Sequence, residues 1–98
     1  MTSYTVSPAA REDLLEVVGY IATHDAEAAA RIRDALLAAF DRLAGRPALG
    51  HARPDLTTRP VRFWGVGRRY TVVYRDEGGH LEIVRVFGPG RDVASLLA

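Results

Sequence analysis

The sequence predicts an α+β domain. An N-terminal strand precedes an α-helical hairpin, which packs on a small, mostly antiparallel sheet of three to four strands in the order β-α-α-β-β-β. Three observations predict it. Apolar residues recur at helical spacing across two consecutive stretches between Pro8 and Ala44. Apolar residues then alternate at period two between Val61 and Phe87. Gly- and Pro-rich punctuation falls between these stretches and at the end of the last one.

Tyr4-Thr5-Val6 is a short strand signal. Ser7-Pro8 then opens a helix over about 8–23: Ser7 caps free amides, and Pro8 fits the first helical position, where no N–H is needed. Glu12 and Asp13 stand near the helix start, where the dipole favours acids. Leu14, Val17, Val18 and Ile21 form its apolar face. His24-Asp25 breaks the pattern, and a second helix begins near Asp25. Ile32, Leu36, Phe40 and Leu43 make its stripe, and Gly45-Arg46-Pro47 stops it. Two helices joined by so short a link form an antiparallel hairpin.

Residues 45–59 read as a loop pinned by Leu49 and Leu56. Val61 and Phe63 alternate with Arg62 and Trp64, and Gly65-Val66-Gly67 reads as a turn. Tyr70, Val72 and Tyr74 form the next strand, and Asp76-Glu77-Gly78-Gly79 the hairpin turn. Leu81, Ile83, Val84, Val86 and Phe87 form the last strand, which Gly88-Pro89-Gly90 ends. A short helix over 91–98 closes the chain, carrying Val93, Leu96 and Leu97.

Ninety-eight residues suit a single domain spanning 1–98. Cysteine is absent, which excludes a disulfide framework and thiolate metal sites. His24, His51 and His80 are too scattered to form a ligand pair, so no metal and no cofactor is expected. No apolar run approaches a membrane span, and residues 1–12 carry no leader pattern, so a cytoplasmic protein without a membrane partner is expected. All thirteen cations are Arg. The net charge is −3 over residues 1–44 and +4 over 45–98. Codon bias accounts for Arg replacing Lys, but not for this split. The basic half suits an anionic or acidic partner.

The order and spacing of several segments resemble the RelE/ParE superfamily of type II toxin–antitoxin toxins, and its ParE branch most. The segments are Tyr4 to Leu14 (YTVSPAAREDL), Tyr20-Ile21-Ala22, Leu43 to Gly50 (LAGRPALG), Asp55-Leu56, Val61-Arg62, Gly67 to Tyr70 (GRRY), Val73-Tyr74-Arg75 and Ile83 to Asp92 (IVRVFGPGRD). The resemblance covers almost the whole chain. It implies a growth-inhibiting toxin neutralised by a cognate antitoxin, through which alone it would reach operator DNA. The ParE branch implies poisoning of DNA gyrase; the RelE branch implies ribosome-dependent mRNA cleavage.

RNA cleavage needs a base, an acid and cations for developing phosphate charge. Arg62 and Arg91 keep two basic places of the RelE pattern, and serve as the fallback catalytic pair. Position 71 is Thr where that pattern has a basic residue, and the tail Ala94-Ser95-Leu96-Leu97-Ala98 lacks its Tyr or His. Arginine is a poor proton shuttle. The expectation is therefore a docking surface with no catalytic residue, formed by Arg62, Arg85, Arg91, Trp64 and Arg69. ParE-like chains often carry a His-Gly-Arg segment where this one has Gly88-Pro89-Gly90-Arg91. That departure motivates a further alternative, a non-toxic binding module. Each of these residues also has a plainer role open to it. Arg75 beside Asp76-Glu77 reads as a surface ion pair. A strand Arg must face solvent, pair with an acid or serve a site. Trp64 is core or contact anchor, and Tyr70 and Tyr74 read as core aromatics. Leu15, Val18 and Leu37 are surplus to one sheet face and are the expected antitoxin contacts, with burial in the core as their alternative.

Overall fold

The computed structural model describes residues 3–98; Met1 and Thr2, the first residues of the expected 1–98 domain and of the stretch 1–12 read above for a leader pattern, lie outside the described residues. Strand β1 (Tyr4–Val6) leads into helices α1 (Pro8–Ala22) and α2 (Ala26–Gly45). Strands β2 (Arg62–Val66), β3 (Tyr70–Glu77) and β4 (His80–Phe87) follow, and helix α3 (Val93–Leu97) closes the chain. The sheet order is β1-β4-β3-β2, with β1 parallel to β4 and the other pairs antiparallel. The expected α+β fold, with its helical hairpin on a mixed four-stranded sheet, is therefore what the chain adopts.

Both long helices start as their sequences dictate. Ser7 Oγ accepts from the Ala10 N–H at 3.0 Å, and Asp25 Oδ1 from the Ala28 N–H at 3.0 Å. Leu36, Phe40 and Leu43 of α2 are fully buried against Val72, Tyr74, Ile83 and Val86. Each such side chain contributes roughly 1.5–3 kcal/mol over its exposed state. On α1 only Ala10 and Asp13 are buried, and the expected stripe Leu14, Val17, Val18 and Ile21 is half-buried.

The opposite sheet face is also covered. Leu97 is buried there with Val61, Phe63, Val73, Val84 and Phe87, and Leu56, Val93 and Leu96 pack around them. The segment 45–59 is thus more ordered than a plain loop. It contains a 3-10 turn at Pro47–Leu49, and His51 exchanges two backbone hydrogen bonds with Phe63, at 3.2 and 2.9 Å. The Tyr74 hydroxyl locks this segment from below, donating to the Pro47 carbonyl at 2.6 Å and accepting from the Gly50 N–H at 2.8 Å. A Cβ on Gly50 would lie 2.6 Å from that hydroxyl oxygen, so glycine is required by close approach.

Two strand boundaries differ from the sequence expectation. Strand β2 runs on through Gly65 and Val66, and the turn falls at Gly67-Arg68-Arg69, with Gly67 at φ 61°. Strands β3 and β4 extend to Glu77 and from His80, leaving only Gly78-Gly79 between them. The alternation in β4 also slips once. Val73 faces Arg85 and Tyr74 faces Ile83, so Val84 is an extra residue, a β-bulge. That bulge lets Ile83 and Val86 join one core layer while Val84 and Phe87 join the other.

Along β4, the start of α1 takes over where β1 stops. The Ser7 N–H bonds the Ile83 carbonyl at 2.9 Å, and Ser7 Oγ donates to the Val84 carbonyl at 2.8 Å. Asp13 Oδ2 then accepts from the Val86 N–H at 2.9 Å. Ser7, the cap of α1, and Asp13 within it thus satisfy backbone groups on the edge that β1 leaves open.

Candidate functional site

The sequence-predicted arginines separate into three places. Arg69 and Arg91 meet in one cleft of about 340 Å³, lined also by Glu16, Val17, Tyr20, Ile21, Tyr70 and Pro89. Three elements build it. The second half of α1 presents Glu16, Val17, Tyr20 and Ile21, which share a face because they lie four apart. The turn before β3 supplies Arg69 and Tyr70. The loop between β4 and α3 supplies Pro89 and Arg91, and Gly90 at φ 79° lets it bend sharply there. The Tyr70 ring and Val17 stand close to Gly88, so cleft wall and loop are in contact.

Arg69 and Arg91 are exposed, and neither has a carboxylate within ion-pair reach among the described residues. Glu16 is the one acid lining the cleft, against two guanidinium groups. Tyr20 is 72% exposed, although large aromatic side chains are usually sheltered, and its ring lies 5.4 Å from that of His24. The cleft therefore offers two forked cations beside aromatic faces and an apolar floor of Val17 and Ile21. That arrangement suits a partner carrying carboxylate or phosphate next to an apolar group.

Arg62 and Trp64 lie elsewhere, on β2 at the sheet edge. Arg62 Nη1 donates to the Gly50 carbonyl at 2.7 Å. Trp64 is half-buried against the core, with the Arg42 guanidinium 5.7 Å above its ring. The two alternatives for Trp64, core and contact anchor, are thus both partly occupied.

Arg85 requires a correction. Expected on the docking face, it takes the ion pair instead. Its Nε and Nη2 donate to the two oxygens of Asp13 at 2.7 and 2.9 Å, and its side chain is only 17% exposed. The hydrogen bonds to Asp13 raise its pKa above the ordinary guanidinium value, against a smaller opposing effect of desolvation. Its guanidinium also stacks 5.0 Å from the Phe87 ring. Asp13, read from sequence as a helix-dipole acid, lies beyond the first turn of α1 and is 5% exposed. It acts as a structural clamp. Arg75 also finds its main partner across the sheet, in Glu82 at 2.9 Å, with Glu77 at 3.5 Å.

The expected antitoxin contacts are 68% exposed at Leu15, half-buried at Val18 and 38% exposed at Leu37. Sequence reasoning passed over Glu16 and Tyr20 as site residues. Their spacing of four on α1, with Val17 and Ile21 spaced alike beside them, is the signal that places all four on one face. Among the described residues no three His, Cys, Asp or Glu side chains gather as metal ligands, and no helix is long and apolar enough to cross a membrane.

Comparison with known proteins follows the same direction. No curated protein matches the chain. Among solved structures it is similar to one described as the chromosomal ParDE TA system from P. aeruginosa. The TM-score is 0.75 at 20% identity, over 91% of this chain and 97% of that chain, a likeness that carries the fold. A family model described as the ParE toxin of type II toxin-antitoxin system, parDE, matches residues 4–93. With that match spanning the whole sheet and both long helices, the chain belongs to the ParE toxin family of type II toxin–antitoxin systems.

Proposed function

We propose that this ParE-family toxin arrests growth by binding DNA gyrase in the cytoplasm and trapping it on cleaved DNA, and that a cognate antitoxin neutralises it. The supporting observation is the cleft in which Arg69 and Arg91, both without an internal carboxylate partner, stand beside Tyr20 and Tyr70. Arginine forks and aromatic faces are the residue types that carry binding energy in protein contacts. The family relationship supplies gyrase as the target to test. Purified toxin is expected to inhibit gyrase supercoiling and to accumulate cleaved DNA. Unimpaired supercoiling with no trapped cleavage at stoichiometric excess would sink this reading. On the antitoxin side, Leu15, Val18 and Leu37 are the proposed contacts.

One observation favours a second reading. Glu16 places a carboxylate in the same cleft as two arginines, and a carboxylate with nearby cations is a means of activating a ribose hydroxyl on RNA. Under that reading, translating ribosomes incubated with the toxin would yield codon-positioned mRNA cuts, and Glu16→Gln would abolish them. In the earlier fallback pair, Arg62 lies outside this cleft and Arg91 lies inside it. Normal growth of cells expressing the chain without antitoxin would favour the non-toxic binding module over both.

A further inference from the structure

Arg91 makes no ion pair among the described residues, so its place in the cleft is set by the loop that carries it. That loop, Gly88 to Asp92, joins β4 to α3. Its own sequence determines it weakly, because Gly88 and Gly90 leave the backbone free to take many conformations. An ordered loop here needs anchors at its ends. One ion pair supplies both. Before the loop, Asp13 Oδ2 accepts from the Val86 N–H at 2.9 Å. Beyond it, Arg85 Nη1 donates to the Leu96 carbonyl of α3 at 3.5 Å. Asp92 ties the loop's last residue to the same helix, accepting from the Ser95 N–H at 3.3 Å and the Ser95 hydroxyl at 2.8 Å.

The same pair sets the opposite wall. Asp13, Val17 and Ile21 lie four apart on α1, with Tyr20 beside them. Fixing Asp13 against Val86 therefore fixes where Val17, Tyr20 and Ile21 stand relative to the loop. The fit at that junction is close: a Cβ on Gly88 would lie 3.8 Å from Val17 and 3.7 Å from the Tyr70 ring. Neither Asp13 nor Arg85 lines the cleft itself.

We propose that the Asp13–Arg85 pair positions Arg91 against Tyr20 and Glu16, so that breaking it disables the cleft while the sheet and helices stay folded. The inference rests on the reading of the cleft as the toxin's docking surface. Asp13 and Arg85 act through α1 and the loop, and are positioning residues. A docking site gains affinity when its contact groups are already held in the bound geometry, because ordering them on binding costs free energy. The forked geometry is what this role requires. The Arg85 guanidinium spans both oxygens of Asp13 at 2.7 and 2.9 Å and still has a donor left for Leu96. A lysine ammonium is a point charge and cannot span all three.

The test uses the full chain, isotopically labelled, and two conservative variants. Asp13→Asn keeps an acceptor for the Val86 N–H but turns an amide donor toward the guanidinium. Arg85→Lys keeps the charge and loses the fork. In the wild type the amide order parameters of Gly90 and Arg91 are expected in the rigid range, about 0.85, and in both variants below about 0.6. The concentration giving half-maximal inhibition of gyrase supercoiling is expected to rise by about tenfold or more in each. Tyr74→Phe is the comparison. It removes the two hydrogen bonds that lock the segment 45–59, touches neither end of the loop, and is expected to keep wild-type values of both quantities. A mobile Gly90 and Arg91 in the wild type would overturn the proposal whether or not the variants fold. So would wild-type order or wild-type potency in a folded variant, or a loss in Tyr74→Phe as large as theirs. Wild-type toxin that leaves gyrase unimpaired would sink the gyrase reading instead, and the order parameters would then decide the positioning role by themselves.

Discussion

Asp13 grips Arg85 with both carboxylate oxygens, at 2.7 and 2.9 Å, and the same carboxylate takes the Val86 N–H at 2.9 Å. One side chain thereby joins α1 to the bulged half of β4. Removing it strands three N–H donors at once. Asp13→Ala is expected to destabilise the fold by about 3–5 kcal/mol, because it leaves a largely buried guanidinium without its counter-charge. Arg85→Ala is expected to cost less, since Asp13 keeps the Val86 N–H. Urea unfolding midpoints of the two variants test this ordering.

The Tyr74 hydroxyl and the Gly50 backbone form a second fixed contact. Tyr74→Phe leaves the Gly50 N–H and the Pro47 carbonyl without their partner, at a cost of about 1–3 kcal/mol. Gly50→Ala drives a methyl group against both the Tyr74 hydroxyl and the Phe63 carbonyl, 2.8 Å away in the case of the carbonyl. The double variant is expected to lose less than the sum of the singles, because part of the clash disappears with the hydroxyl. Thermal unfolding of all four proteins closes the cycle.

Stability is expected to fall on the alkaline side. Burial raises the pKa of Tyr4, helped by the charge of Asp41. Burial likewise raises that of Tyr74, outweighing its hydrogen bond to Gly50. Below the ordinary tyrosine value of about 10, both phenols are neutral folded and unfolded, and their contribution is fully present. Above it the unfolded chain ionises first, so stability declines until the folded-state values are passed. Tyr74→Phe should flatten this decline. Urea midpoints measured across the alkaline range, with phenolate absorbance as a second readout, give the slope.

The cleft arginines and the clamp arginine should respond in opposite ways. Arg69→Ala and Arg91→Ala touch no internal ion pair and are expected to change stability by about 0.5 kcal/mol or less. In cells lacking antitoxin they are expected to relieve growth arrest. Growth curves paired with unfolding data separate a contact role from a structural one.

Leu15→Asp and Leu37→Asp alter exposed α-hairpin positions and should leave the fold near wild-type stability. If these leucines meet the antitoxin, each is expected to weaken the complex by about tenfold or more, as anchor truncations do. Calorimetric titration with purified antitoxin measures it.

Much of the fold was legible because local signals agreed. Ser7-Pro8, the Ile32–Leu43 stripe and Gly45-Arg46-Pro47 bound the two helices within a residue or so. The strand parity of β3 placed Val72 and Tyr74 correctly. What was illegible depended on distant chain. Nothing near Asp13 announces Arg85, seventy-two positions away. The bulge at Val84 is written faintly, in the paired apolar residues Ile83-Val84 and Val86-Phe87, but only the two-layered core explains it. Gly65 looked like a turn residue because it neighbours Gly67, yet its pairing with Thr71 carries β2 past it. The cleft was half-legible: Arg69 and Arg91 were singled out, whereas Glu16 and Tyr20 need the knowledge that α1 lies beside the loop after β4.

The pairing of β1 with β4 has a consequence for how the protein is made. The first strand finds its partner only in residues 81–83, and Leu97, one residue from the last, is part of the second core layer. Neither layer closes until the residues that complete it, 81–83 for the first and Leu97 for the second, have left the ribosome. Until those residues emerge the apolar faces of α1 and α2 lack their sheet, as for topologies dominated by non-local pairing. During that interval the cleft, which needs both α1 and the loop after β4, does not exist as a surface.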